Sequence, residues 1–265
     1  MILHKGLNAA AVMLAAGAMF AQQTTPPAPA ATAGRGAGQA QGAGRGAGRG
    51  GPRIPPADET GFQSIFDGKT LAGWDGDPAF WRVENGSIMG QTFADKQPKQ
   101  NTFLIWRGGS PADFELKLQY KLIGHNSGIQ IRSIELPDLK YAMKGYQADM
   151  DAQQQYTGQF YEERGRGFLA MRGQFSYIGE DGKPAVVGSF GDSDELKKLI
   201  KNDDWNDLHL IARGNTLIQI LNGRITSMLI DDDKAGRKMD GLIGIQCHLG
   251  PAMTMEVKNI RIKKL

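Results

Sequence analysis

The sequence predicts an antiparallel β-sandwich, an all-β fold, from three patterns. Residues 113–122 alternate polar and apolar side chains over ten positions, which is typical of a strand with one buried face. Asn85-Gly86 and Asn222-Gly223 each separate two strand-like runs, and both residues of such a turn adopt positive φ, so two hairpins are expected. A single short helical pattern accompanies these strands.

The remaining elements follow the same signals. Strands are predicted over 80–84 and 87–90, 208–213, 216–221, 224–230, 241–248 and 253–262. The helix is expected over 194–201, with Ser193 as its N-cap, because acidic residues open the run and lysines close it. Asp67-Gly68 is expected to form a turn, while Trp81, Trp106 and Cys247 are expected in the core.

Residues 1–21 are expected to be a secretory signal peptide. Lys5 precedes an apolar run over 9–20, and Ala21 is a small residue at a suitable cleavage position. The run is too short to span a bilayer, and no other segment approaches the ~18 apolar residues that a span requires. The mature protein is therefore predicted to be exported to the periplasm or the extracellular space, without a membrane span.

Residues 22–56 are predicted to be a disordered linker, because Gln, Thr, Pro, Ala, Gly and Arg dominate and Ile54 is the only large apolar residue. Five basic and no acidic residues lie in 1–56, and the whole chain is +3, so residues 57–265 carry a net charge of −2. The Gly-Arg repeats resemble nucleic-acid-binding segments. Export and the mildly acidic remainder argue against a nucleic-acid partner. One folded domain is expected over 61–265.

The most informative stretch runs from His125 to Asp151 and alternates as two strands. One face is expected to hold Ile129, Ile131, Tyr146, Ala148 and Met150 against the core. The opposite face is expected to expose Gln130, Arg132, Gln147, Asp149 and Asp151. Amide, guanidinium and carboxylate groups at fixed positions suit the hydroxyls of a sugar. A salt-bridged strand pair with no ligand is the alternative interpretation.

An ordered set of motifs then carries a family resemblance. These are FDGKTLAGW (66–74), FWRVENGSI (80–88), DFELKLQY (113–120), NSGIQIR (126–132), GYQAD (145–149), WNDLHLIARGN (205–215), LNG (221–223), GIQCHLG (244–250) and VKNIRIKKL (257–265). Together they resemble the 3-keto-disaccharide hydrolase family. The resemblance implies a concanavalin A-like jelly roll whose concave sheet holds a sugar. It also implies cleavage of glycosides oxidised to a ketone at the third carbon. A non-catalytic lectin-like carbohydrate-binding module is the alternative function.

Such a substrate calls for particular chemistry. The ketone acidifies the hydrogen on the second carbon, so a base can initiate elimination of the glycosidic oxygen, and addition of water completes a net hydrolysis. The reaction needs a base, a group that stabilises the ketone oxygen and an acid. Asp149 or His248 is the expected base, and His248 is preferred if Asp149 pairs with an arginine, because that pairing weakens a carboxylate base.

The other roles are assigned to neighbouring polar residues. Arg132 and Arg164 are expected at the ketone oxygen, and Glu162 or Glu163 as the acid. The expected substrate-binding residues are His125, Asn126, Gln130, Tyr146, Gln147, Asp151, Arg164, Arg166 and Gln246. The arginines and glutamates of 156–172 have a simpler interpretation as a solvated charge run.

No cofactor is predicted. There is one cysteine and no paired histidine spacing, so zinc is not indicated. A structural calcium bound by carboxylates and backbone carbonyls is left open. The sequence lacks a Gly-rich dinucleotide loop, so the oxidation that makes the ketone is assigned to a separate NAD-dependent sugar oxidoreductase acting upstream.

Overall fold

Two packed β-sheets contain almost all the regular structure of residues 59–265, the part of the chain that this computed structural model describes. The signal peptide predicted over 1–21 and the linker predicted over 22–56 lie outside those residues. The all-β sandwich expected from the sequence is confirmed. Within 59–265, no helix has the length and apolar character needed to cross a membrane.

The ten-stranded sheet forms one layer. Its strands are β1 (Gln63–Ser64), β3 (Trp81–Glu84), β4 (Ser87–Gln91), β6 (Phe114–Ile123), β11 (Gln174–Ile178), β12 (Pro184–Ser189), β13 (Asn206–Arg213), β14 (Thr216–Leu221), β15 (Arg224–Asp231) and β17 (Thr254–Lys264). They are ordered β12-β11-β15-β14-β13-β6-β17-β4-β3, with β1 paired to β17. The pairing is antiparallel except between β11 and β15.

The seven-stranded sheet forms the other layer. Its strands are β2 (Trp74–Asp75), β5 (Thr102–Trp106), β7 (Asn126–Glu135), β8 (Met143–Asp151), β9 (Phe160–Glu163), β10 (Gly167–Ala170) and β16 (Leu242–Cys247). They are ordered β10-β9-β8-β7-β16-β5-β2. The strands β7 and β8, which the sequence singled out, are therefore central in this layer.

The local signals are confirmed where they are strongest. The alternating run forms β6, shifted by one residue from the prediction. Asn85 and Gly86 have φ of 51° and 77°, and Asn222 and Gly223 have 48° and 81°, as two-residue hairpin turns require. Asp67 accepts hydrogen bonds from the backbone of Lys69 and Thr70, which makes it the predicted turn residue.

The helix differs from its prediction. It covers Ser193–Lys197, and the N-cap is Asp192, whose side chain accepts from the backbone N–H groups of Asp194 and Glu195. A carboxylate one residue earlier satisfies the same free N–H groups and also interacts favourably with the positive end of the helix.

The core lies between the sheets and follows the predicted alternation. Ile129, Ile131, Tyr146, Ala148 and Met150 are all buried in it. Trp81, Trp106 and Cys247 are also buried there, as expected. The period-two pattern therefore identified the inward face of β7 and β8 correctly.

Arg132 is the exception on β7. The pairing between β7 and β8 shifts register between Ile131 and Ile134, and Arg132 sits in this bulge with φ of 46°. The extra residue interrupts the alternation and redirects the side chain. Instead of lying beside Gln130, Arg132 is buried and reaches toward the strand ends of the other sheet.

Candidate functional site

A row of cross-strand partners crosses the face of the seven-stranded sheet that is turned away from the core, called the site face below. Gly244 of β16 is opposite Gln130 of β7, which is opposite Gln147 of β8. Gln147 is opposite Tyr161 of β9, which is opposite Phe168 of β10. Neighbouring strands are ~4.8 Å apart, and the side chains of Gln130 and Gln147 and those of Tyr161 and Phe168 contact each other along the row.

Asp149 follows Gln147 by two residues on β8, so its side chain lies on the same face. Its carboxylate accepts hydrogen bonds from Gln147 Nε2 at 2.6 Å and from Gln159 Nε2 at 3.0 Å. Burial of the carboxylate raises the pKa of Asp149 to about 7, the two amide hydrogen bonds oppose that shift, and the negative charges of Glu163 and Asp151 add to it. An acid–base group with a pKa near neutrality is suited to proton transfer.

Glu163, at the end of β9, supplies a second carboxyl group on this face. It accepts from Asn101 Nδ2 at 3.2 Å and from Gln246 Nε2 at 3.5 Å. Its cross-strand partner is Gly145, which has no side chain to compete for the space. Burial raises the pKa of Glu163 above its usual value, and Arg164, 3.9 Å away, opposes this shift.

A chain of glutamine amides joins the two carboxyl groups. Gln147 Oε1 accepts from Gln130 Nε2 at 3.0 Å and from Gln246 Nε2 at 3.1 Å. Gln246 Nε2 also faces Glu163, so two side chains connect Glu163 to Asp149. Within residues 59–265, the buried Oε1 atoms of Gln159 and Gln246 have no hydrogen-bond partner. These two acceptors are available to hydroxyl donors of a ligand or to water.

Glycines make room for this network. A Cβ at Gly128, the cross-strand partner of Asp149, would lie 2.5 Å from Gln147 Cδ. A Cβ at Gly244 would lie 2.4 Å from Met143 Sδ. The amide of Gln147 therefore lies directly over the backbone of Gly128, and the thioether of Met143 lies over that of Gly244.

The two histidines meet at one end of the site. His125 precedes β7 and His248 follows β16, and because these strands are antiparallel neighbours, their rings meet, with centroids 5.0 Å apart. His248 Nδ1 contacts the carbonyl of Leu249. Burial lowers the pKa of His248, the hydrogen bond with the carbonyl of Leu249 opposes that shift, and His125 adds to it. The roles predicted for His248 as a base and for His125 in substrate binding stay predictions.

The expectation that Gln130, Arg132, Gln147 and Asp149 are accessible is wrong, because all four are buried. The segment 97–101 spans this side of the sheet. Its Asn101 bonds both Glu163 and the backbone of Leu249, and Gln100 accepts from Arg164. Alternation along a strand predicts which face a side chain occupies, but a distant segment decides whether that face meets solvent.

Arg132 does not join the site. Its guanidinium donates to the carbonyls of Ala112 at 2.8 Å and Gly214 at 2.6 Å, and to Asp113 at 3.0 Å. It thus fastens the start of β6 to the β13–β14 turn. Among residues 59–265 no arginine pairs with Asp149, and the reason for preferring His248 as the base is removed.

Three further predicted residues gather elsewhere. Tyr146 and Glu162 are cross-strand partners on the core side of the sheet. Arg166 binds Glu162 at 2.5 Å and Asp231 at 2.6 Å, and Tyr146 donates to Asp231 at 2.5 Å. With Asp233, these side chains form a buried ionic cluster that links the β9–β10 hairpin to β15. Glu162 and Arg166 therefore belong to this cluster, Glu163 lies on the site face, and Arg172 donates to the backbone carbonyls of Thr157 and Ser193.

Asp151 and Asn126 lie at the far end of the β7–β8 pair. The Asp151 carboxylate accepts from the backbone N–H groups of Gln155, Tyr156 and Thr157, so it organises the turn that follows β8. Asn126 is its cross-strand partner and is half-buried.

The sequence reasoning missed Asn101, Gln159 and Tyr161. Gln159 and Tyr161 flank the core residue Phe160, so the period-two rule applied to β9 could have placed them on the site face. No local signal marks Asn101, which joins the site only through tertiary contacts.

Cavities occur on both layers. One of about 620 Å³ lies on the outer face of the ten-stranded sheet, but its cations Lys117 and Arg261 already pair with Glu59. Another of about 480 Å³ adjoins the site face beside Gln100 and Thr102. Neither surrounds a carboxyl group with a raised pKa, so the Asp149–Glu163 network remains the candidate site.

No group of three His, Cys, Asp or Glu residues arranged for a metal ion occurs within 59–265, and the structural calcium stays an untested expectation.

Comparisons with known proteins agree with this assignment of fold. A family model described as a 3-keto-alpha-glucoside-1,2-lyase-like domain matches residues 61–263. Two structures of proposed glycosyl hydrolases from Parabacteroides distasonis are similar at 18% identity. The match with the first structure includes 77% of this chain and 94% of that chain, with a TM-score of 0.50. The match with the second includes 77% of this chain and 99% of that chain, with a TM-score of 0.51. The carbohydrate binding module CBM66 from Bacillus subtilis is similar at 16% identity, over 72% of this chain and 95% of that chain, with a TM-score of 0.47. None of the curated proteins matches.

Proposed function

Because the chain belongs to the family of 3-keto-alpha-glucoside-1,2-lyase-like domains, we propose that it cleaves 3-keto-glycosides by eliminating the glycosidic oxygen. Its coarser class, a carbohydrate-active domain similar in fold to glycosyl hydrolases, follows from the family and the neighbours. The observation that carries the finer proposal is the buried Asp149, whose pKa of about 7 suits a base for a carbon acid.

Asp149 is the proposed base. In water a carboxylate with an ordinary pKa is too weak to remove a proton from carbon at a useful rate. Burial makes the charged form of Asp149 less stable and hence more basic, and none of the arginines in the described part of the chain neutralises it. The amides of Gln147 and Gln159 fix the orientation of its two oxygens.

Glu163 is the proposed acid, and Arg164 is the proposed donor for the ketone oxygen. The raised pKa of Glu163 favours the protonated form that a leaving group requires. Arg164 is next to it, at the exposed rim.

The proposed step balances as follows. Asp149 takes the proton from the second carbon, and the electron pair of that C–H bond forms the double bond between the first and second carbons. The bond from the first carbon to the glycosidic oxygen breaks, and Glu163 supplies a proton to the departing oxygen. The ketone at the third carbon delocalises the developing charge. Addition of water across the double bond then gives the 3-keto sugar.

Two expectations accompany this proposal. A separate NAD-dependent oxidoreductase makes the ketone, since the elimination itself neither consumes nor produces an oxidant. The leader predicted from residues 1–21 places the reaction outside the cytoplasm.

Turnover of 3-keto-glucosides carrying deuterium at the second carbon tests the proposal. A primary isotope effect, together with an unsaturated keto sugar detected by NMR before hydration, is the expected result. Release of the aglycone without an isotope effect, when chemistry limits the rate, would instead indicate direct displacement at the first carbon.

The alternative function is a carbohydrate-binding module without turnover. The amide-lined site face and the exposed aromatic rings beside it favour sugar binding whether or not a bond is cleaved. Saturable binding of a 3-keto-glucoside with no aglycone release would support the module and refute the lyase.

A further inference from the structure

We propose that Tyr161, Phe168 and Tyr156, called the aromatic strip below, form the subsite for the leaving group and select substrates whose leaving group is a ring. This inference rests on the proposed function, because it assigns the remainder of the substrate relative to Asp149 and Glu163. The strip continues the row of amides on the site face, and it is the part of that row that meets solvent.

The position of the strip follows from strand register. Gln130, Gln147, Tyr161 and Phe168 are successive partners across four adjacent strands. Their exposure rises along the row, from fully buried at Gln130 to 42% at Phe168. Because the row is buried at the amide end and meets solvent at Phe168, a ligand whose sugar contacts the amides extends toward the aromatic end.

The three rings form one continuous apolar surface. The ring centroids of Tyr161 and Phe168 are 5.3 Å apart at 64°, and those of Phe168 and Tyr156 are 5.9 Å apart at 20°. These separations are typical of packed aromatic pairs. Tyr156 is nevertheless 38% exposed, so the strip keeps accessible carbon surface after its internal packing.

Tyr156 is held in place by the predicted site residue Asp151. The carboxylate of Asp151 accepts from the backbone N–H groups of Tyr156 and Thr157, at 2.8 and 2.9 Å. This turn brings Tyr156 from the loop after β8 to Phe168 on β10. With its backbone bonded to Asp151 and its ring stacked on Phe168, Tyr156 has less conformational entropy to lose when a ligand binds.

The chemistry of the strip defines the leaving group. It offers apolar ring carbon and no charged side chain, which suits a phenyl ring or the C–H face of a second sugar. A methyl leaving group is too small to reach from the glycosidic oxygen across Tyr161 to Phe168. Ring leaving groups should therefore gain affinity from the strip, and methyl should not.

The test compares 4-nitrophenyl and methyl 3-keto-glucosides with the full chain and its variants. Phe168→Ala and Tyr156→Ala should each raise the KM for the nitrophenyl substrate about three- to tenfold, the range that one aromatic pair contributes. The KM for the methyl substrate should change less than twofold. Val186→Ala, at a 58% exposed position on β12 of the other sheet, is the control and should change neither.

An equal increase in KM for both substrates, or no increase for either, would overturn the subsite. Neither result would contradict the proposed lyase activity. If the wild-type protein turns over neither substrate, the proposed function fails separately. Calorimetric binding of the two glycosides then decides the subsite. Tighter binding of the nitrophenyl compound that Phe168→Ala removes would support it, and equal affinities would refute it.

Discussion

The side-chain amide of Gln147 donates a 2.6 Å hydrogen bond to the carboxylate of Asp149, two residues later on the same strand. With its Nε2 engaged there, Gln147 turns its Oε1 toward the amides of Gln130 and Gln246. The orientation of one amide therefore couples the environment of Asp149 to that of Glu163. Any change that rotates Gln147 should alter both carboxyl groups.

Replacing Asp149 by Asn should lower kcat by about 10²–10⁴-fold, the usual contribution of a general base, while KM changes little. His248→Ala should remain within about tenfold of wild type, because the structure gives Asp149 the raised pKa and His248 a lowered one. Steady-state kinetics with a 3-keto-glucoside measures both. Asp207→Asn, on the ten-stranded sheet, is the matched control. A larger loss in His248→Ala than in Asp149→Asn would transfer the role of base to the histidine.

The pH dependence of activity should reflect Asp149. Since its pKa is about 7 in the folded protein, kcat/KM should rise as pH increases through about 7 and the carboxylate forms. The residual activity of Asp149→Asn should not show this rise of kcat/KM with pH. A rate that is independent of pH between 5 and 8 would show that another group accepts the proton.

The stability of the folded protein should fall over the pH range in which its activity rises. The pKa of Asp149 is raised from 3.8 to about 7 on folding, so the folded state binds more protons than the unfolded state between these values. Wild-type protein should therefore lose stability relative to Asp149→Asn as pH rises from about 4 to 7. Melting temperatures of the two proteins across this range measure the difference, and parallel curves would contradict the raised pKa.

Gly128→Ala should reduce activity at least tenfold with only a modest change in stability. The added methyl would lie 2.5 Å from Gln147 Cδ and would push that side chain away from Asp149. Such overpacking typically costs about 1–3 kcal/mol. Gly179→Ala is the matched control, because its nearest contact would be an ordinary 3.5 Å to Tyr177. Normal kinetics in Gly128→Ala would mean that the orientation of Gln147 is unimportant.

Arg132→Met should destabilise the protein without a specific effect on chemistry. The guanidinium satisfies the carbonyls of Ala112 and Gly214 and also pairs with Asp113, and its loss should lower the free energy of unfolding by about 2–4 kcal/mol. Urea unfolding measures this change. The fraction that remains folded should keep a normal kcat, and a large drop in kcat would return Arg132 to the ketone oxygen.

Removing residues 1–55 should leave the melting temperature of the remaining chain within a degree or two. The composition of 22–56 cannot bury much apolar surface, and the compact unit with its core begins at Pro56. Thermal unfolding of the mature and shortened proteins compares them directly. A clear loss of stability or activity would show that the segment packs on the domain.

The sequence by itself determined the β-sandwich, its two Asn-Gly hairpins and the inward face of β7 and β8. These features depend on period-two alternation and on backbone angles that only a few residues adopt, which are local properties. For the same reason Gln147 and Asp149 could be assigned to one face before their neighbours were known.

Only the tertiary structure decided which polar groups meet Gln147 and Asp149. Glu163 and Asn101 approach from other parts of the chain, and no local pattern encodes that approach. The bulge at Arg132 removes a residue that alternation had assigned to the site. Burial raises the pKa of Asp149, and since that shift comes from excluding water, it depends on the packed environment and not on the aspartate alone.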